Sequence, residues 1–258
     1  MRRTLPIVLA LSCFACKPPP DAPEDLDDLC GYLYSHHDDE DLDAMEAGLS
    51  NLAAWLDLHW EEASEGYVVT ELTQETVDSL DGTQRSVQGI LGLAMAHRSS
   101  HDVLASATAI AGTAQDVVFP ELYDSYEREY IGDPECFLDQ DCPRLEALEE
   151  MVTSYALGVT STSNAHSQYL WGEPDPGSAM VMRNWFVAPP EVNFDWISIQ
   201  EQYYLNLFLP RDNGSYRLQA MWLVFEQDNV PEDMALSMAT SDMTDNFEQF
   251  DAYLDGGR

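Results

Sequence analysis

The C-terminal part of the chain contains four segments rich in β-branched, aromatic and other apolar residues. The segments are 153–171, 179–187, 194–209 and 215–225. The last two flank the sequence PRDNGS, in which Asn213-Gly214 supplies the left-handed backbone that a tight hairpin requires. This succession predicts an antiparallel meander, with a β-bulge expected near Gln200.

One helical segment follows the predicted meander. Pro231 is suited to begin a helix, and Gly256-Gly257 is suited to end it. Between them, apolar side chains recur at steps of three and four, at Met243, Phe247, Phe250 and Leu254. We therefore expect a long C-terminal helix with one apolar face.

The earlier part of the chain mixes helical and strand patterns. A helical stripe is formed by Leu42, Met45, Leu49, Leu52 and Leu56. Short strands are expected at 67–71 and 86–96. A helix is expected at 99–111, because Ser99 and Asp102 have the spacing of a helix cap. Two more helices are predicted, one at 144–151 and one opened by Pro120, whose face would carry Leu122, Tyr123, Tyr126 and Tyr130.

Together these elements predict an α+β fold, in which N-terminal helices precede an antiparallel β-meander and a long C-terminal helix. From about residue 85 their order resembles the helix-grip fold of START-like and polyketide-cyclase-like proteins. The matching elements are SVQGILGLAMA at 86–96, the helix at 99–111, the Asn213-Gly214 hairpin and residues 232–254. The resemblance implies a curved sheet closed by the terminal helix. The acidic helix at 38–63 and the loop between Cys136 and Cys142 depart from it.

The N-terminus has the pattern of a secretory signal. Arg2 and Arg3 form a positive start, and the apolar run at 5–11 is too short to span a bilayer. We therefore divide the chain into a signal peptide at 1–15, a Pro-rich acidic tether at 16–25 and a single α+β domain at 26–258.

The same stretch resembles a bacterial lipoprotein signal peptide. Cys16 follows Phe14-Ala15 and precedes KPPPDAPED, so it is the predicted lipidation site. Cys13, after Leu9-Ala10-Leu11-Ser12, is the alternative, and an ordinary cleaved signal is a third interpretation. The resemblance implies a palmitate-type acyl anchor and a place in the cell envelope. Because Lys17 rather than aspartate follows Cys16, we expect the outer membrane, on its periplasmic or surface face.

The remaining cysteines fit an oxidising compartment. Cys136 and Cys142 bracket a short loop, and we predict a disulfide between them. Cys30 is left over if Cys16 carries the lipid. If Cys13 carries the lipid instead, Cys16 and Cys30 are free to pair.

The chain is strongly acidic, with 11 Lys and Arg against 47 Asp and Glu and a net charge of −36. Such a surface repels phosphate backbones, so we predict no nucleic-acid partner. It favours cations or a cationic partner. A simple role in solubility is the alternative.

The sequence YSHHDDEDLDAME at 34–46 places two histidines next to four consecutive acids. The acids at 38–41 precede the predicted helix, where carboxylates accept hydrogen bonds from free backbone N–H groups. Adjacent residues of an extended chain point to opposite sides, so His36 and His37 are poorly placed to share a metal ion. We interpret the motif as the start of a helix.

Two other places are weak metal candidates. His97 and His101 are four residues apart and would form a zinc site with a third ligand such as His166 or His59. Asp139 and Asp141, with acids nearby, would hold calcium in the predicted disulfide loop, although a solvated loop is the simpler interpretation. We predict no other cofactor.

Aromatic residues of the meander and a methionine of the last helix are candidate ligand-lining side chains, as an alternative to plain core packing. They are Trp185, Trp196, Tyr204, Phe208, Trp222 and Met238. Neither a nucleophile elbow nor a phosphate-binding glycine motif occurs, and we assign no catalytic residue. The sequence therefore predicts a cell-envelope lipoprotein that serves as a non-catalytic binding or structural module, with an apolar small molecule as the candidate ligand. An acidic, calcium-dependent surface interaction protein and a zinc enzyme are the alternatives.

Overall fold

The computed structural model of the protein describes residues 21–81, 86–154, 158–174, 177–193, 197–227 and 232–256, with backbone only at 197–199, 225–227 and 232–235. Nine strands of this part of the chain form one sheet. They are β1 (Tyr67–Val68), β2 (Leu91–Ser99), β3 (Tyr123–Ile131), β4 (Arg144–Ser154), β5 (Thr160–Gly172), β6 (Ala179–Phe186), β7 (Glu191–Val192), β8 (Ile197–Arg211) and β9 (Gly214–Gln227).

The strands lie in the order β1-β2-β9-β8-β6-β5-β4-β3, and β7 pairs with β5. All these pairs are antiparallel. The helices are α1 (Leu26–Ser35), α2 (Asp43–Leu58), α3 (Trp60–Glu65), α4 (Gln74–Asp78), α5 (Val103–Gly112), α6 (Gln115–Val118), α7 (Pro134–Leu138) and α8 (Glu232–Leu254). The predicted α+β class, with an antiparallel meander and a long C-terminal helix, is confirmed.

The sheet has a helical layer on each face. Side chains of a strand alternate between the two faces, so neighbouring residues enter different cores. On β8, Tyr203, Leu205 and Leu207 pack with α1 and α2, whereas Phe208 packs with α5 and α8. We call the face that contacts α1 and α2 the outer face, and the face that contacts α5, α6 and α8 the inner face.

The outer face is covered by the N-terminal helices. The predicted stripe of α2 is confirmed, since Met45, Leu49, Leu52 and Leu56 are fully buried there. Helix α1, which the sequence patterns did not reveal, adds Leu26, Leu29, Cys30 and Leu33. This layer lies outside the helix-grip elements and closes the face of the sheet that they leave uncovered.

The inner face is covered in part by α8. Met243, Phe247 and Phe250 of its predicted stripe are buried, and Leu254 is partly buried. Asp251 fastens the helix to β2, because its carboxylate lies 2.7 Å from Nε2 of His97 and accepts a hydrogen bond of 2.8 Å from the hydroxyl of Ser99. The terminal helix therefore packs along the sheet as in a helix-grip fold.

The predicted hairpin joins β8 to β9. Arg211 pairs with Gly214, so Asp212 and Asn213 form a two-residue connection. Of the predicted pair Asn213-Gly214, Gly214 has a positive φ, at 121°, and Asn213 does not. A Cβ atom at Gly214 would overlap the backbone oxygen of Ser99, so glycine is required there. The expected bulge near Gln200 is also present, as a register shift between 199 and 201.

Two predicted helices are wrong. The segment after Pro120 forms β3, and the segment 144–151 lies in β4. Both segments pair with strands along their whole length, and their alternating residues, such as Tyr126 and Met151, reach the inner face. Pairing within the sheet therefore overrides the helical propensity of Leu, Glu and Ala.

Three predicted boundaries also move. Helix α5 begins at Val103 rather than 99, because Asp102, not Ser99, accepts the capping hydrogen bond from the N–H of Ala105. The segment 153–171 is divided between the end of β4 and β5. The strand predicted at 86–96 is β2, which starts at Leu91.

The acidic motif lies in the connection between α1 and α2. Asp41 accepts a hydrogen bond from the N–H of Asp43, as expected for a helix start. Asp38 instead pairs with the guanidinium of Arg183, which is 1% exposed on the outer face. Arg183 also donates to the carbonyl of Tyr34 and to the side chain of Gln168, so the motif docks the helical layer onto the sheet.

Arg144 binds the same connection from β4, by donating to the carbonyls of His37 and Asp39 at 2.6 Å each. His37 is buried between the two arginines. Its pKa is lowered to about 4, chiefly by burial and also by the charges of Arg183 and Arg144. The neutral ring therefore fits a site that already contains two cations.

The Asp38–Arg183 pair is expected to stabilise the fold in a pH-dependent way. Burial would raise the pKa of Asp38, but its contacts with His37 and Arg183 lower it to about 2. The stabilisation is therefore complete above the unfolded-state pKa of 3.8 and is lost as the pH falls towards 2.

We expect Asp38→Asn to reduce the free energy of unfolding at pH 7 by about 1–2 kcal/mol, since half-exposure of Asp38 limits the effect. The difference from wild type should shrink between pH 4 and pH 2, measured by urea unfolding. Glu40→Gln, at an exposed neighbour, should change little at either pH. If both substitutions lowered the free energy of unfolding equally, the stabilising role of the Asp38–Arg183 pair would be contradicted.

Candidate functional site

The inner face contains a cavity of about 120 Å³ between the sheet and helices α5, α6 and α8. Part of its wall is aromatic or apolar, including Phe119, Tyr126, Met182 and Phe186. The rest is polar and includes Gln115, Asn184, Asn206, Arg217 and Gln219. The cavity therefore combines apolar surface with buried hydrogen-bonding groups.

The polar groups share this wall because of strand alternation and register. Asn206 on β8 is opposite Gln219 on β9, and Phe208 is opposite Arg217. Arg217 and Gln219 are two residues apart on one strand, so they lie on the same face. Asn206, Arg217 and Gln219 therefore form a buried polar group on two neighbouring strands, which we call the polar trio.

Arg128 is the other buried arginine of the wall, and it is fully engaged. Its guanidinium forms an ion pair with Glu149 at 3.2 Å and donates to the carbonyls of Ile110 and Ala111 at the end of α5. Glu149 also accepts a hydrogen bond from the hydroxyl of Tyr169. Arg128 thus links β3, β4 and α5, and its charge is neutralised inside the protein.

Arg217 is in a different situation. It is 3% exposed, and its Nε and Nη1 have no hydrogen-bond partner within the described residues. Its guanidinium carbon lies 4.3 Å from the ring centre of Phe250 and 5.0 Å from that of Phe247. Burial lowers the pKa of Arg217 to about 9, against the opposing effect of Asp251. Such a buried charge is costly unless something pairs with it.

The other two members of the polar trio are also incompletely satisfied. Oδ1 of Asn206 and Oε1 of Gln219 are buried, and neither has a hydrogen-bond partner among the residues that the structure describes. Buried polar atoms of native proteins are nearly always hydrogen-bonded. The trio therefore offers donors and acceptors that a bound molecule can use.

The predicted ligand-lining residues separate between the two faces. Tyr204 lines the cavity, and Phe208 packs beside it against Phe250. Trp185 and Trp222 point to the outer face, where their indole N–H groups donate to the carbonyls of Asp81 and Thr70. The prediction is wrong for these two, because they occupy the strand positions whose alternation leads to the opposite core.

The last two predicted lining residues do not lie at the cavity. Met238 on α8 is 49% exposed, and Trp196 lies outside the described residues. Sequence reasoning also missed the polar trio. The sequence did contain a signal for these residues. Polar side chains interrupt the apolar strands at positions that lie on one face, namely Gln202, Asn206, Arg217 and Gln219.

The candidate zinc histidines pair with two different aspartates, one on α8 and one directly after it. His97 contacts Asp251, and Nε2 of His101 lies 3.0 Å from a carboxylate oxygen of Asp255. His166 is on β5, which is separated from β2 by the three strands β9, β8 and β6. The structure therefore does not bring His97 and His166 to one metal ion.

The predicted disulfide between Cys136 and Cys142 is confirmed. Asp139 and Asp141 lie in its loop, next to α7. Within the described ranges, no three His, Cys, Asp or Glu side chains are grouped to hold a metal ion. Among those same residues, no helix has the length and apolar character needed to cross a membrane. Cys13 and Cys16 lie outside the described residues.

Solved structures with similar folds share little sequence with this chain. A STAR-related lipid transfer protein from Xanthomonas axonopodis is 12% identical, with a TM-score of 0.42 over 66% of this chain and 96% of its own. The di-domain ARO/CYC protein StfQ of the steffimycin biosynthetic pathway is 10% identical, with a TM-score of 0.42 over 65% and 51%. Ara h 8.0201 is 10% identical, with a TM-score of 0.39 over 65% and 99%.

These likenesses concern the order and packing of the elements and support no conclusion about function. Comparison with protein-family models gave no match, and comparison with curated proteins gave none either.

The Arg128–Glu149 pair leads to a stability prediction. Arg128→Met would leave Glu149 buried without its cation and would remove the hydrogen bonds that Arg128 donates to two carbonyls of α5. We expect the free energy of unfolding to fall by about 3–5 kcal/mol in urea titrations. Arg98→Met, at an exposed arginine stacked on Trp60, should lose less than about 1 kcal/mol. If Arg128→Met lost as little free energy of unfolding as Arg98→Met, the buried pair would not stabilise the fold.

Proposed function

We propose that this protein is a cell-envelope lipoprotein whose folded part binds a small molecule in the inner-face cavity and catalyses no reaction. The observation that carries the proposal is the cavity itself, with the polar trio incompletely satisfied in its wall. A pocket with an apolar lining and a few convergent polar groups is the usual form of a small-molecule site.

The size of the cavity limits the ligand. Its volume of about 120 Å³ is well below the roughly 300–1,000 Å³ of pockets for drug-sized molecules. It is closer to cavities of about 150 Å³, which accept benzene. We therefore infer a ligand with a single ring or a body of that size, whose polar substituents satisfy the trio.

A binding role also fits the chemistry of the wall. Glu149 is its buried carboxylate, and it is held by Arg128 and Tyr169. Asp242, the other carboxyl of the wall, is exposed and belongs to α8. Neither contacts a histidine, serine, threonine or cysteine side chain in the contacts that the structure describes, so a binding module is the simpler proposal.

The envelope location rests on the signal-like N-terminus and is supported by the cysteines. The disulfide between Cys136 and Cys142 fits an oxidising compartment. Cys30 is a free, fully buried thiol in the outer core, and burial raises its pKa well above the usual value. Cys30 thus contributes to the packing of the outer core.

The alternative of an acidic, calcium-dependent interaction protein stays a prediction. Asp133, one of the acids near the loop, already accepts hydrogen bonds from the N–H groups of Glu135 and Cys136 as a helix cap. A rise in melting temperature with millimolar calcium would favour this alternative.

Filling the cavity tests the binding proposal. Asn246 of α8 lines it, so Asn246→Trp should weaken the binding of single-ring molecules at least about tenfold. Ser241→Trp changes an exposed position of the same helix and should leave binding unchanged. Binding is measured by ligand-observed NMR with benzoate, 4-hydroxybenzoate and benzyl alcohol. If none of the three binds the wild-type chain, the proposal fails.

Metabolic labelling with palmitate tests the anchor in a bacterial host that makes lipoproteins. We expect Cys16→Ser to abolish label incorporation, because it removes the acyl acceptor. Cys13→Ser and Cys30→Ser should retain it. Label that persists in Cys16→Ser and disappears in Cys13→Ser would move the anchor to the alternative site.

A further inference from the structure

We propose that the ligand of the inner-face cavity is a single-ring carboxylic acid that also carries a hydroxyl or amine, and that Arg217 binds its carboxylate. A hydroxyl would donate its single hydrogen bond to Asn206 or Gln219, and an amine would donate to both. The inference rests on the proposed function, since it names the ligand class of the same cavity.

The first argument is the missing counter-charge of Arg217. The chain contains 47 acidic residues, yet no ion pair joins any described carboxylate to Arg217. Arg128 and Arg183, whose side chains are also buried, each have a carboxylate partner among the described residues. In so acidic a chain, a partner for Arg217 was readily available. The absence of one is explained if the ligand supplies the negative charge.

The carboxylates near Arg217 do not fill this role. Asp251 acts on the pKa of Arg217, but its two oxygens are already in contact with His97 and Ser99. Asp242 lines the cavity and is exposed to solvent. Aromatic rings also contact the guanidinium, including those of Phe208 and Phe250, and the face of such a ring attracts a cation without replacing a carboxylate partner.

The charge balance favours a carboxylate over a phosphate. Because Arg128 is paired with Glu149 and Asp242 is exposed, Arg217 is the buried positive charge of the wall that no described carboxylate pairs with. A monoanion neutralises that charge, whereas a phosphate ester would leave negative charge in an aromatic environment. Guanidinium and carboxylate also match in geometry and form strong, charge-assisted hydrogen bonds.

The acceptors of the trio define the second substituent. Residues two apart on a strand are separated by about 6.8 Å, so Arg217 and Gln219 are about one ring width apart. Asn206 is directly across from Gln219. A ring with an acid group at one end and a hydroxyl or amine at the other can therefore reach all three groups. A purely apolar ligand would bury the three without satisfying them.

The experiment compares three probes on the full-length chain by calorimetry and ligand-observed NMR. They are 4-hydroxybenzoate, benzoate and the neutral benzyl alcohol. Wild type should bind 4-hydroxybenzoate most tightly and benzyl alcohol least tightly. Arg217→Met should weaken both acids at least about tenfold and change the alcohol less than about threefold. Gln219→Leu should weaken 4-hydroxybenzoate more than benzoate.

Two further variants control for charge and folding. Arg98→Met removes an arginine on the adjacent strand β2, at an exposed position outside the cavity wall, and should leave all three affinities unchanged. Arg217→Lys keeps the charge and should keep a preference for the acids. Without ligand, Arg217→Met should melt no lower than wild type, because it removes an incompletely satisfied buried charge.

Three outcomes would overturn the inference. One is equal binding of acids and alcohol by wild type, which leaves the cavity proposal standing. Another is a preference for acids that survives in Arg217→Met. The last is a fall in melting temperature for Arg217→Met as large as that for Arg128→Met, which would make Arg217 structural. Failure of all three probes to bind would instead reject the proposed function itself.

Discussion

The pairing of β8 with β9 decides which side chains meet in this protein. It is the longest ladder of the sheet, running from Ile197 opposite Gln227 to Arg211 opposite Gly214. Because side chains alternate along each strand, the register sends Tyr203 and Trp222 to the outer core. The same register turns Asn206 and Arg217 towards the inner face. A slip of one residue would exchange the two sets, so both cores and the cavity depend on this pairing.

Arginines form the buried ion pairs described in this acidic chain. Arg183 binds the connection between α1 and α2, and Arg128 closes the end of α5. In both, the buried charge is matched by a carboxylate and by carbonyl groups, which is the condition under which burial of an ion is tolerated. Arg217 meets that condition only partly, through aromatic rings. Arg128 and Arg183, which have carboxylate partners, stabilise the fold. Arg217, which lacks one among the described residues, belongs to the candidate site.

The acidic side chains of this protein differ in whether they need a partner within the protein. Many of the described acidic side chains are exposed, and salt reduces their mutual repulsion. Asp38 and Glu149 differ from these because each pairs with a buried arginine. Asp38 stands in a run of four acids and could not be told from its neighbours by residue type. Its partner is 145 residues away in sequence, so only the folded chain identifies the pair.

Residue patterns alone were enough to predict four features of the structure. They are the hairpin at Asn213-Gly214, the apolar stripes of α2 and α8, the disulfide between Cys136 and Cys142, and the order of the helix-grip elements. These features follow from local rules of turn chemistry, periodicity and cysteine spacing. Tertiary structure alone decided that 144–151 is a strand, since pairing with two neighbours outweighs helical propensity. It also placed Trp185 and Trp222 outside the cavity and the polar trio inside it. The physical reason is that the face of a strand, and the partner of a buried charge, are set by residues distant in sequence.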